Sequence, residues 1–325
     1  MISVVMPMYN AERYVRAAVQ SIQSQTFTNF EFIIIDDGST DRSRQIVEEL
    51  ASSDPRIHLV SRANTGIVRA LNEGLALARG EFVARMDADD WSFPSRFESQ
   101  LQFLASNQEC VCVGSSVILI DGKGTPVDSY NRHTSPAEVE GALLKGDGGA
   151  MVHPAVFIRK RHLDKVGGYR AAAQYVEDLD LFLRLSRIGW LTNLPDVLLY
   201  YRVHGSSINF TKNRDRKIVW LNVLNEAYAA RGLTLEPQSL GTVAEFDRPM
   251  SFYHQRWAVT SLAFGKRSVA LRHGVLACLR APKEKASWKS LSFALRTSAS
   301  RPAQSLPNVN ATPLGRHKKT SHVLT

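Results

Sequence analysis

The strongest constraint in the sequence is the regular alternation of its first 110 residues. Short apolar runs, each long enough for one strand, lie at Ile2–Met6, Phe30–Ile35, Ile57–Val60 and Phe82–Met86. Apolar residues at helical spacing follow every run, which predicts an amphipathic helix after each strand. Four strand–helix units in succession are typical of an α/β domain with a mostly parallel sheet and helices on both faces.

The pattern changes in the rest of the chain. Residues 111–210 mix the two kinds of element, with strands predicted at Val111–Ile120, Pro154–Ile158 and Val197–Val203 and helices at Pro136–Leu144 and Glu177–Arg187. Beyond Asn209 only helices are predicted, at Arg214–Ala230, Ser251–Phe264, Ser268–Leu279 and Ser287–Leu295.

These patterns predict three regions. A domain of residues 1–210 divides into a first part, 1–110, and a second part, 111–210. A basic helical extension follows at residues 211–297. The tail of residues 298–325 is rich in Ser, Pro, Asn and basic residues without a sustained period, which predicts disorder.

Charge is distributed unevenly along the chain. The whole sequence has 40 Lys and Arg against 31 Asp and Glu, a net charge of +9. Residues 1–209 have 21 against 25, whereas residues 210–325 have 19 against 6. Nucleic acid is therefore not an expected partner, because the motif-rich region is the acidic one. Two interpretations of the basic C-terminal third stay open: a solvated helical appendage, or a surface for an anionic membrane.

The cysteines and the N-terminus bear on the compartment. Cys110, Cys112 and Cys278 are too few for a disulfide framework and fit a reducing environment. Met1–Val5 has no positive region before a long apolar stretch, so it predicts a strand rather than a signal peptide. No run approaches the roughly 18–20 apolar residues of a spanning helix. We expect a cytoplasmic protein whose attachment to a membrane, if any, is peripheral.

Three acidic clusters lie where a predicted strand ends or a helix begins: Asp36-Asp37-Gly38-Ser39-Thr40-Asp41, Asp87-Ala88-Asp89-Asp90 and Glu177-Asp178-Leu179-Asp180. Helix capping explains such residues in general, because their oxygens accept from the free N–H groups of a first turn. Capping does not suffice for residues 87–90, since three carboxylates in four residues repel one another and need a cation. Oxygen ligands of this kind predict a Mn²⁺ or Mg²⁺ site.

Two common nucleotide-binding folds are excluded by the first turn. It reads Pro7-Met8-Tyr9-Asn10, where a dinucleotide-binding fold requires glycines, and no P-loop is found in the sequence.

Taken in order and spacing, the motifs resemble those of the family 2 inverting glycosyltransferases. They are Val4-Val5-Met6-Pro7-Met8-Tyr9-Asn10, the acidic clusters at 36–41 and 87–90, Asn64-Thr65-Gly66, His153-Pro154, Gly167-Gly168-Tyr169 and Glu177-Asp178. The resemblance covers residues 1 to about 210. It implies a GT-A fold, a nucleotide-diphosphate-sugar donor and a divalent metal.

For the nucleotide, the resemblance implies five contact residues. Pro7 and Tyr9 are expected to lie along the nucleotide, and Asp36 to hydrogen-bond the base. Asn64 belongs to a loop that usually approaches the nucleotide. Arg69, one helical turn onward, either reaches the base or a phosphate or lies on a solvated face.

For the metal, Asp89 is the expected direct ligand, and Asp87 is expected to contact the ribose or the metal. Asp90 is expected to orient the loop. His204 follows the last predicted strand. It is expected either to contact the metal or the diphosphate or to have only a structural role. Arg202, two residues earlier, is a weaker candidate for the same contact.

For the acceptor, Asp178 matches the position of the family's general base. An acceptor hydroxyl has a pKa far above 7, so a carboxylate must take its proton as the oxygen attacks the anomeric carbon. Glu177 and His153 are expected on the acceptor side, although His153 has packing as its alternative. Asp180 points about 200° away from Asp178 around a helix and is expected to face elsewhere.

The resemblance implies a metal-dependent inverting enzyme that moves one sugar from a nucleotide donor, expected to be UDP-linked, to an acceptor hydroxyl by single displacement. The expected acceptor is a glycan or a lipid-linked molecule in surface polysaccharide or glycolipid synthesis. Processive members carry spanning helices and a tryptophan motif rich in Gln and Arg, and this sequence has neither. The alternatives are a non-catalytic nucleotide-sugar-binding module and a nucleotidyltransferase, which would need a glycine-rich loop after the first strand.

Overall fold

The computed structural model describes residues 1–130, 133–205, 213–236 and 248–298. The tail predicted for residues 298–325 lies outside the described residues from position 299 onward.

Within these ranges nine strands form one sheet: β1 (Ile2–Met8), β2 (Phe30–Asp36), β3 (Ile57–Ser61), β4 (Phe82–Arg85), β5 (Trp91–Ser92), β6 (Cys110–Asp121), β7 (Pro126–Tyr130), β8 (Phe157–Arg159) and β9 (Trp190–Val203). Their order across the sheet is β3-β2-β1-β4-β8-β6-β9-β5, with β7 paired to β6 outside this path.

The helices of the domain are α1 (Val15–Gln23), α2 (Ser43–Ala51), α3 (Ile67–Leu77), α4 (Arg96–Ser106), α5 (Pro136–Leu144), α6 (Lys160–Val166) and α7 (Glu177–Leu185). The helices after it are α8 (Asn213–Ala229), α9 (Met250–Thr260), α10 (Arg267–Arg280) and α11 (Lys285–Arg296).

The first half of the sheet is parallel, as the alternation predicts: β1 pairs with β2 and β4, and β2 pairs with β3, all in parallel. Both faces of β1 are buried, with Val4 in the core beneath α1 and α2 and Val5 in the core beneath α3. A Cβ at Gly74 of α3 would lie 2.5 Å from a methyl carbon of Val5, so glycine permits this helix to approach the sheet closely. Helices therefore cover both faces.

The second half of the sheet is mixed. β8 runs antiparallel to β4 and β6, β9 runs parallel to β6, and β5 and β7 are antiparallel to their partners. β9 starts at Trp190, earlier than the predicted Val197. The apolar pattern did not predict these first residues because they include the buried polar side chains of Thr192 and Asn193. Thr192 donates to the Thr134 carbonyl at 2.8 Å, and Asn193 donates to the His133 carbonyl at 2.8 Å. These bonds allow polar residues inside a strand that the apolar pattern does not reveal.

The helices beyond residue 210 pack onto the domain at two places. The Trp220 indole of α8 is buried and donates to the Gly146 carbonyl at 2.9 Å. On the other side, Arg256 and Thr260 of α9 contact β7: Arg256 pairs with Asp128, and the Thr260 hydroxyl donates to the Val127 carbonyl at 2.5 Å. In the described part of the chain, no helix is long and apolar enough to cross a membrane.

Candidate active site

The acidic segment after β4 forms a compact group of carboxylates. One oxygen from each of Asp87, Asp89 and Asp90 lies within 4.8 Å of the others. Asp90 is buried, whereas the side chains of Asp87 and Asp89 are 27% and 29% exposed. The group lies beyond the carboxyl end of β4, the edge where parallel sheets bind ligands.

The electrostatics of this group favour a divalent cation. Burial raises the pKa of Asp90 well above its usual value, and the charges of Asp89 and Asp87 raise it further. Burial also raises the pKa of Asp87, although the Arg85 guanidinium opposes that shift. One Asp90 oxygen is buried and has no hydrogen-bond partner among the described residues. Because Mg²⁺ and Mn²⁺ bind carboxylate oxygens and relieve such repulsion, these residues fit a divalent metal.

The end of β9 holds the acidic segment in place. The Arg202 backbone N–H donates to Asp90 Oδ1 at 2.7 Å, and its Nε donates to the Asp89 carbonyl at 2.7 Å. Two residues later, His204 Nε2 lies 2.8 Å from Asp89 Oδ2. Arg202 therefore positions the loop, and its contact with the metal or the diphosphate stays a prediction. His204 contacts the expected metal ligand, which fits either a ligand or a residue that orients Asp89.

Arg85, the last residue of β4, is a functional candidate that the sequence analysis missed. Its side chain is 5% exposed, and its Nη2 lies 2.5 Å from Asp87 Oδ1. Its Nε and Nη1 are buried without a hydrogen-bond partner among the described residues. A lone arginine at the end of an apolar strand was the available signal, because a buried guanidinium requires an anionic partner.

Asp178, at the start of α7, lies near enough to the acidic group for its charge to act on Asp87. Its charge raises the pKa of Asp87, after the larger effects of burial and of Asp89. Asp178 is half-buried, and burial raises its pKa, against the opposing charges of Arg216 and Arg85. Its Oδ1 accepts from the Leu179 N–H at 2.7 Å. A carboxylate with a raised pKa beside a candidate metal group suits a general base.

The neighbours of Asp178 on α7 have different environments. Glu177 is 8% exposed, and one of its oxygens is buried without a hydrogen-bond partner among the described residues. Burial, followed by the charge of Asp178, raises the pKa of Glu177 to about 7. Asp180 is buried and pairs with Arg170 and Arg184, at 2.6 Å for Arg184. Asp180 therefore faces away from the site, as its position on the helix predicts.

The loops after β1 and β2 form the expected nucleotide side. Pro7 is half-buried, whereas Tyr9 is 52% exposed and available to a ligand. Asp36 is buried, and both of its oxygens accept local hydrogen bonds, from the Ser39 N–H at 3.0 Å and from the Ser61 hydroxyl at 3.1 Å. These bonds fix the carboxylate at the end of β2, and its contact with a base stays a prediction.

Asp37 organises the loop between β3 and α3 and is a second residue that the sequence analysis did not single out. Its oxygens accept from the Thr65 N–H at 2.8 Å and the Gly66 N–H at 2.9 Å, and it pairs with Arg62 at 2.6 Å. The loop carries Asn64, which is exposed.

Two further candidates, Arg69 and His153, make no hydrogen bond to the acidic group among the described residues. Arg69 is exposed on α3, which leaves its nucleotide contact a prediction. His153 is buried, bonded at 2.7 Å to the Tyr169 hydroxyl and packed against Phe182. Burial, followed by the charge of Arg85, lowers the pKa of His153 well below its usual value, which favours the neutral ring. Its packing role is observed, and its contact with an acceptor stays a prediction.

The fold and these motifs define a nucleotide-sugar transferase of the GT-A type. The sequence model of glycosyl transferase family 2 matches residues 3–167, and the chain belongs to this family. An uncharacterized glycosyltransferase of Haemophilus influenzae is 31% identical over 66% of this chain and 69% of its own length. The putative glycosyltransferase EpsE of Bacillus subtilis is 33% identical over 65% and 75%. Hyaluronan synthase of Pasteurella multocida is 27% identical over 72% of this chain and 24% of its own length.

Solved structures share the fold. Residues 1–349 of S. aureus TarS, in complex with UDP-GlcNAc, superpose with a TM-score of 0.60 at 19% identity, covering 90% of each chain. Mannosyltransferase PcManGT from Pyrobaculum calidifontis, in complex with GDP-Man and Mn²⁺, gives 0.52 at 17% identity, covering 90% of this chain and 84% of the other. The GT-A fold predicted from the motifs is confirmed.

Proposed function

We propose that this glycosyltransferase is metal-dependent and inverting, and that it moves one sugar from a UDP-linked donor to an acceptor hydroxyl. The observation that carries the proposal is the compact carboxylate group of residues 87–90, with Asp178 near enough for its charge to raise the pKa of Asp87. A cation site with a base close to it is what a single displacement at an anomeric carbon requires.

In this proposal Asp89 and Asp87 hold the metal, with His204 as a further ligand or as the residue that orients Asp89. When bound, Mn²⁺ or Mg²⁺ supplies positive charge that neutralises the departing diphosphate. Arg202 keeps both the Asp89 backbone and the Asp90 carboxylate in place, with one hydrogen bond to each. Arg85 orients Asp87 from beneath the site.

Asp178 acts as the base. It takes the proton of the acceptor hydroxyl while that oxygen bonds to the anomeric carbon and the bond to the diphosphate breaks. Attack from the side opposite the leaving group inverts the configuration. Glu177, which has an unpaired buried oxygen, is proposed to hold an acceptor hydroxyl next to Asp178, with His153 shaping that side from beneath.

The donor nucleotide is proposed to lie along Pro7 and Tyr9, with Asp36, Asn64 and Arg69 around its base and phosphates. The UDP-GlcNAc complex of TarS supports a UDP-linked donor. The acceptor is proposed to be a glycan or a lipid-linked molecule in surface polysaccharide or glycolipid synthesis. The synthase relatives, which include a chondroitin synthase of Escherichia coli, support a role in polysaccharide synthesis. A cytoplasmic site of action is part of the proposal, supported by three free, buried cysteines.

Two variants separate the proposed roles. Asp89→Asn should weaken the Mn²⁺-dependent binding of UDP measured by calorimetry, because it removes a charged ligand. Asp178→Asn should bind UDP and Mn²⁺ like the wild type, but its rate of Mn²⁺-dependent donor hydrolysis should fall roughly 10²–10⁴-fold. The donor is UDP-GlcNAc, or the best substrate from a panel of UDP-, GDP- and dTDP-sugars. Asp196→Asn, at an exposed position, is the matched control.

Three outcomes would overturn parts of the proposal. Near-normal turnover by Asp178→Asn removes that residue as the base. Equal UDP affinity with and without Mn²⁺ removes the metal. Tight donor binding by the wild type without any turnover would favour a non-catalytic nucleotide-sugar-binding module.

A further inference from the structure

The last two helices form a hairpin on the surface of the molecule. A Cβ at Gly274 of α10 would lie 2.9 Å from the Leu291 Cα of α11, so the two helices cross closely. Arg267, at the start of α10, donates to the Leu295 carbonyl near the end of α11, which makes the helices antiparallel. The Trp288 indole donates to the Pro282 carbonyl in the connection at 2.8 Å. The hairpin of residues 267–296 is therefore a fixed surface.

The hairpin exposes large apolar side chains. Leu279 is 72% exposed, Trp288 56% and Leu295 53%, and Val275 and Phe293 are also exposed. Val275 and Leu279 are four residues apart on α10, and Trp288 and Leu295 are seven apart on α11, so each pair shares one helix face. These five residues are nearly half of the eleven large apolar side chains that are exposed in the described part of the chain. A concentration of this kind marks an interaction surface.

The apolar side chains lie among basic ones. Residues 266–296 contain eight Lys or Arg and one Glu. Three of the basic residues, Arg280, Lys283 and Lys285, are in or next to the connection between the helices, and Lys289 lies about one turn further along α11. The single acid, Glu284, accepts a hydrogen bond from Gln255 at 2.6 Å and is thus engaged within the protein.

We propose that this hairpin binds the surface of an anionic lipid bilayer. A membrane-surface helix buries apolar side chains at the headgroup boundary and holds Lys and Arg against acidic headgroups, and both kinds of residue are exposed here together. A second copy of the chain is the less favourable occupant, because two strongly basic surfaces repel each other.

The hairpin is also attached to the active site. Arg272 and His273 of α10 contact the Asp121 carboxylate at the end of β6, with His273 at 3.3 Å. The Asp121 carbonyl accepts from Arg202 Nη1 at 3.2 Å, and Arg202 holds the Asp89 backbone. A bilayer under the hairpin would hold the site at a fixed distance from the lipids. The consequence, that the acceptor is lipid-linked, rests on the proposed function, whereas the binding itself does not.

Flotation of the full-length protein with vesicles tests the proposal. The wild type should float with vesicles of phosphatidylcholine and 30% phosphatidylglycerol and not with phosphatidylcholine alone, and 0.5 M salt should reduce flotation. Leu279→Ser/Trp288→Ser and, separately, Lys285→Glu/Lys289→Glu should each lower the floated fraction at least fivefold. Leu77→Ser/Ile218→Ser is the matched control, because these residues are 45% and 61% exposed elsewhere.

Three results would overturn the proposal. One is flotation of both hairpin variants to the same extent as the wild type. Another is equal flotation of the wild type with neutral and with anionic vesicles. A dimer by light scattering that only the apolar variant abolishes would assign the surface to a second copy.

The Mn²⁺-dependent binding of UDP, measured on every variant, should match the wild type. Its absence from the wild type would count against the proposed function and leave the flotation result standing.

Discussion

The Arg85 guanidinium lies 2.5 Å from the Asp87 carboxylate at the buried floor of the acidic site. This pair places one interior cation among carboxylates that repel one another. Burial raises the pKa values of Glu177 and Asp178, and the charge of the same guanidinium opposes part of that rise. The charge of Arg85 therefore acts on both the candidate metal group and the candidate base. Arg85 therefore links the two halves of the site electrostatically.

Replacing Arg85 with Met should destabilise the fold by about 3–5 kcal/mol, because the change leaves a partly buried carboxylate without its partner. Mn²⁺ should recover part of the loss, since a bound cation supplies the missing positive charge. The measurement is urea unfolding with and without Mn²⁺. Arg16→Met breaks an ion pair whose side chains are both 48% exposed, and should change stability by less than about 1 kcal/mol. Equal Mn²⁺ stabilisation of the wild type and Arg85→Met would contradict this role.

Gly38 controls the position of the loop that carries Asn64. Its φ is +76°, and a Cβ there would lie 2.7 Å from the Asn64 backbone nitrogen. Gly38→Ala should therefore displace this loop and weaken UDP binding, in addition to a cost of about 1 kcal/mol for the left-handed backbone.

The control for Gly38 isolates the backbone effect. Gly167 also has a φ of +76°, but nothing lies within 4 Å of a Cβ there. Gly167→Ala should lose similar backbone stability and keep the UDP affinity measured by calorimetry. If both variants bind UDP like the wild type, the loop does not approach the nucleotide.

The pair of Glu177 and Asp178 should set the acidic limb of the pH–rate profile. Burial raises the pKa of both carboxyl groups, that of Glu177 to about 7, and the base works only when deprotonated. Hydrolysis of the donor should fall as the pH drops through the raised pKa of Asp178. Glu177→Gln removes a neighbouring negative charge and should move this limb to lower pH. Glu109→Gln, at an exposed position, should leave the profile unchanged, and an unmoved limb in Glu177→Gln would show that the two groups titrate independently.

Much of the fold follows from the sequence because its first half is locally consistent. Strands β1, β2 and β4 are largely apolar and buried on both faces, and the acidic clusters after β2 and β4 are adjacent to those strands in the chain. The start of β9 was not predicted, because Thr192 and Asn193 are buried polar residues satisfied by carbonyls about 60 positions away in the chain. A local pattern holds no signal for such partners.

The site was predictable as far as its motifs extend. Asp87 and Asp89 were selected because they follow a strand, and Asp178 because it matches a motif of the family. The structure brings one oxygen from each of Asp87, Asp89 and Asp90 within 4.8 Å of the others, and the roles of these residues stay predictions. Arg85 was missed although its partner Asp87 is only two residues away, whereas Arg202 was undervalued because its role depends on contacts with a distant part of the chain. Arg202 reaches Asp90 over 112 positions of chain. Only the pairing of β9 with its neighbours reveals that contact.

Asp121 should make the attachment of α10 sensitive to acid. Burial alone would raise its pKa, but hydrogen bonds from His273 and Thr125 and the charge of Arg272 outweigh burial and lower it to about 2. Because the folded pKa lies below the unfolded one, the stabilisation, about 2 kcal/mol, is complete above pH 4 and is lost as the pH falls toward 2. Asp121→Asn should thus lower the free energy of unfolding in urea at pH 7, and the gap to the wild type should narrow between pH 4 and 3. Asp164 has a side chain that is 58% exposed, so Asp164→Asn should show no such difference in unfolding free energy from the wild type. If the difference between Asp121→Asn and the wild type does not change with pH, the stabilisation does not come from the ionised carboxylate.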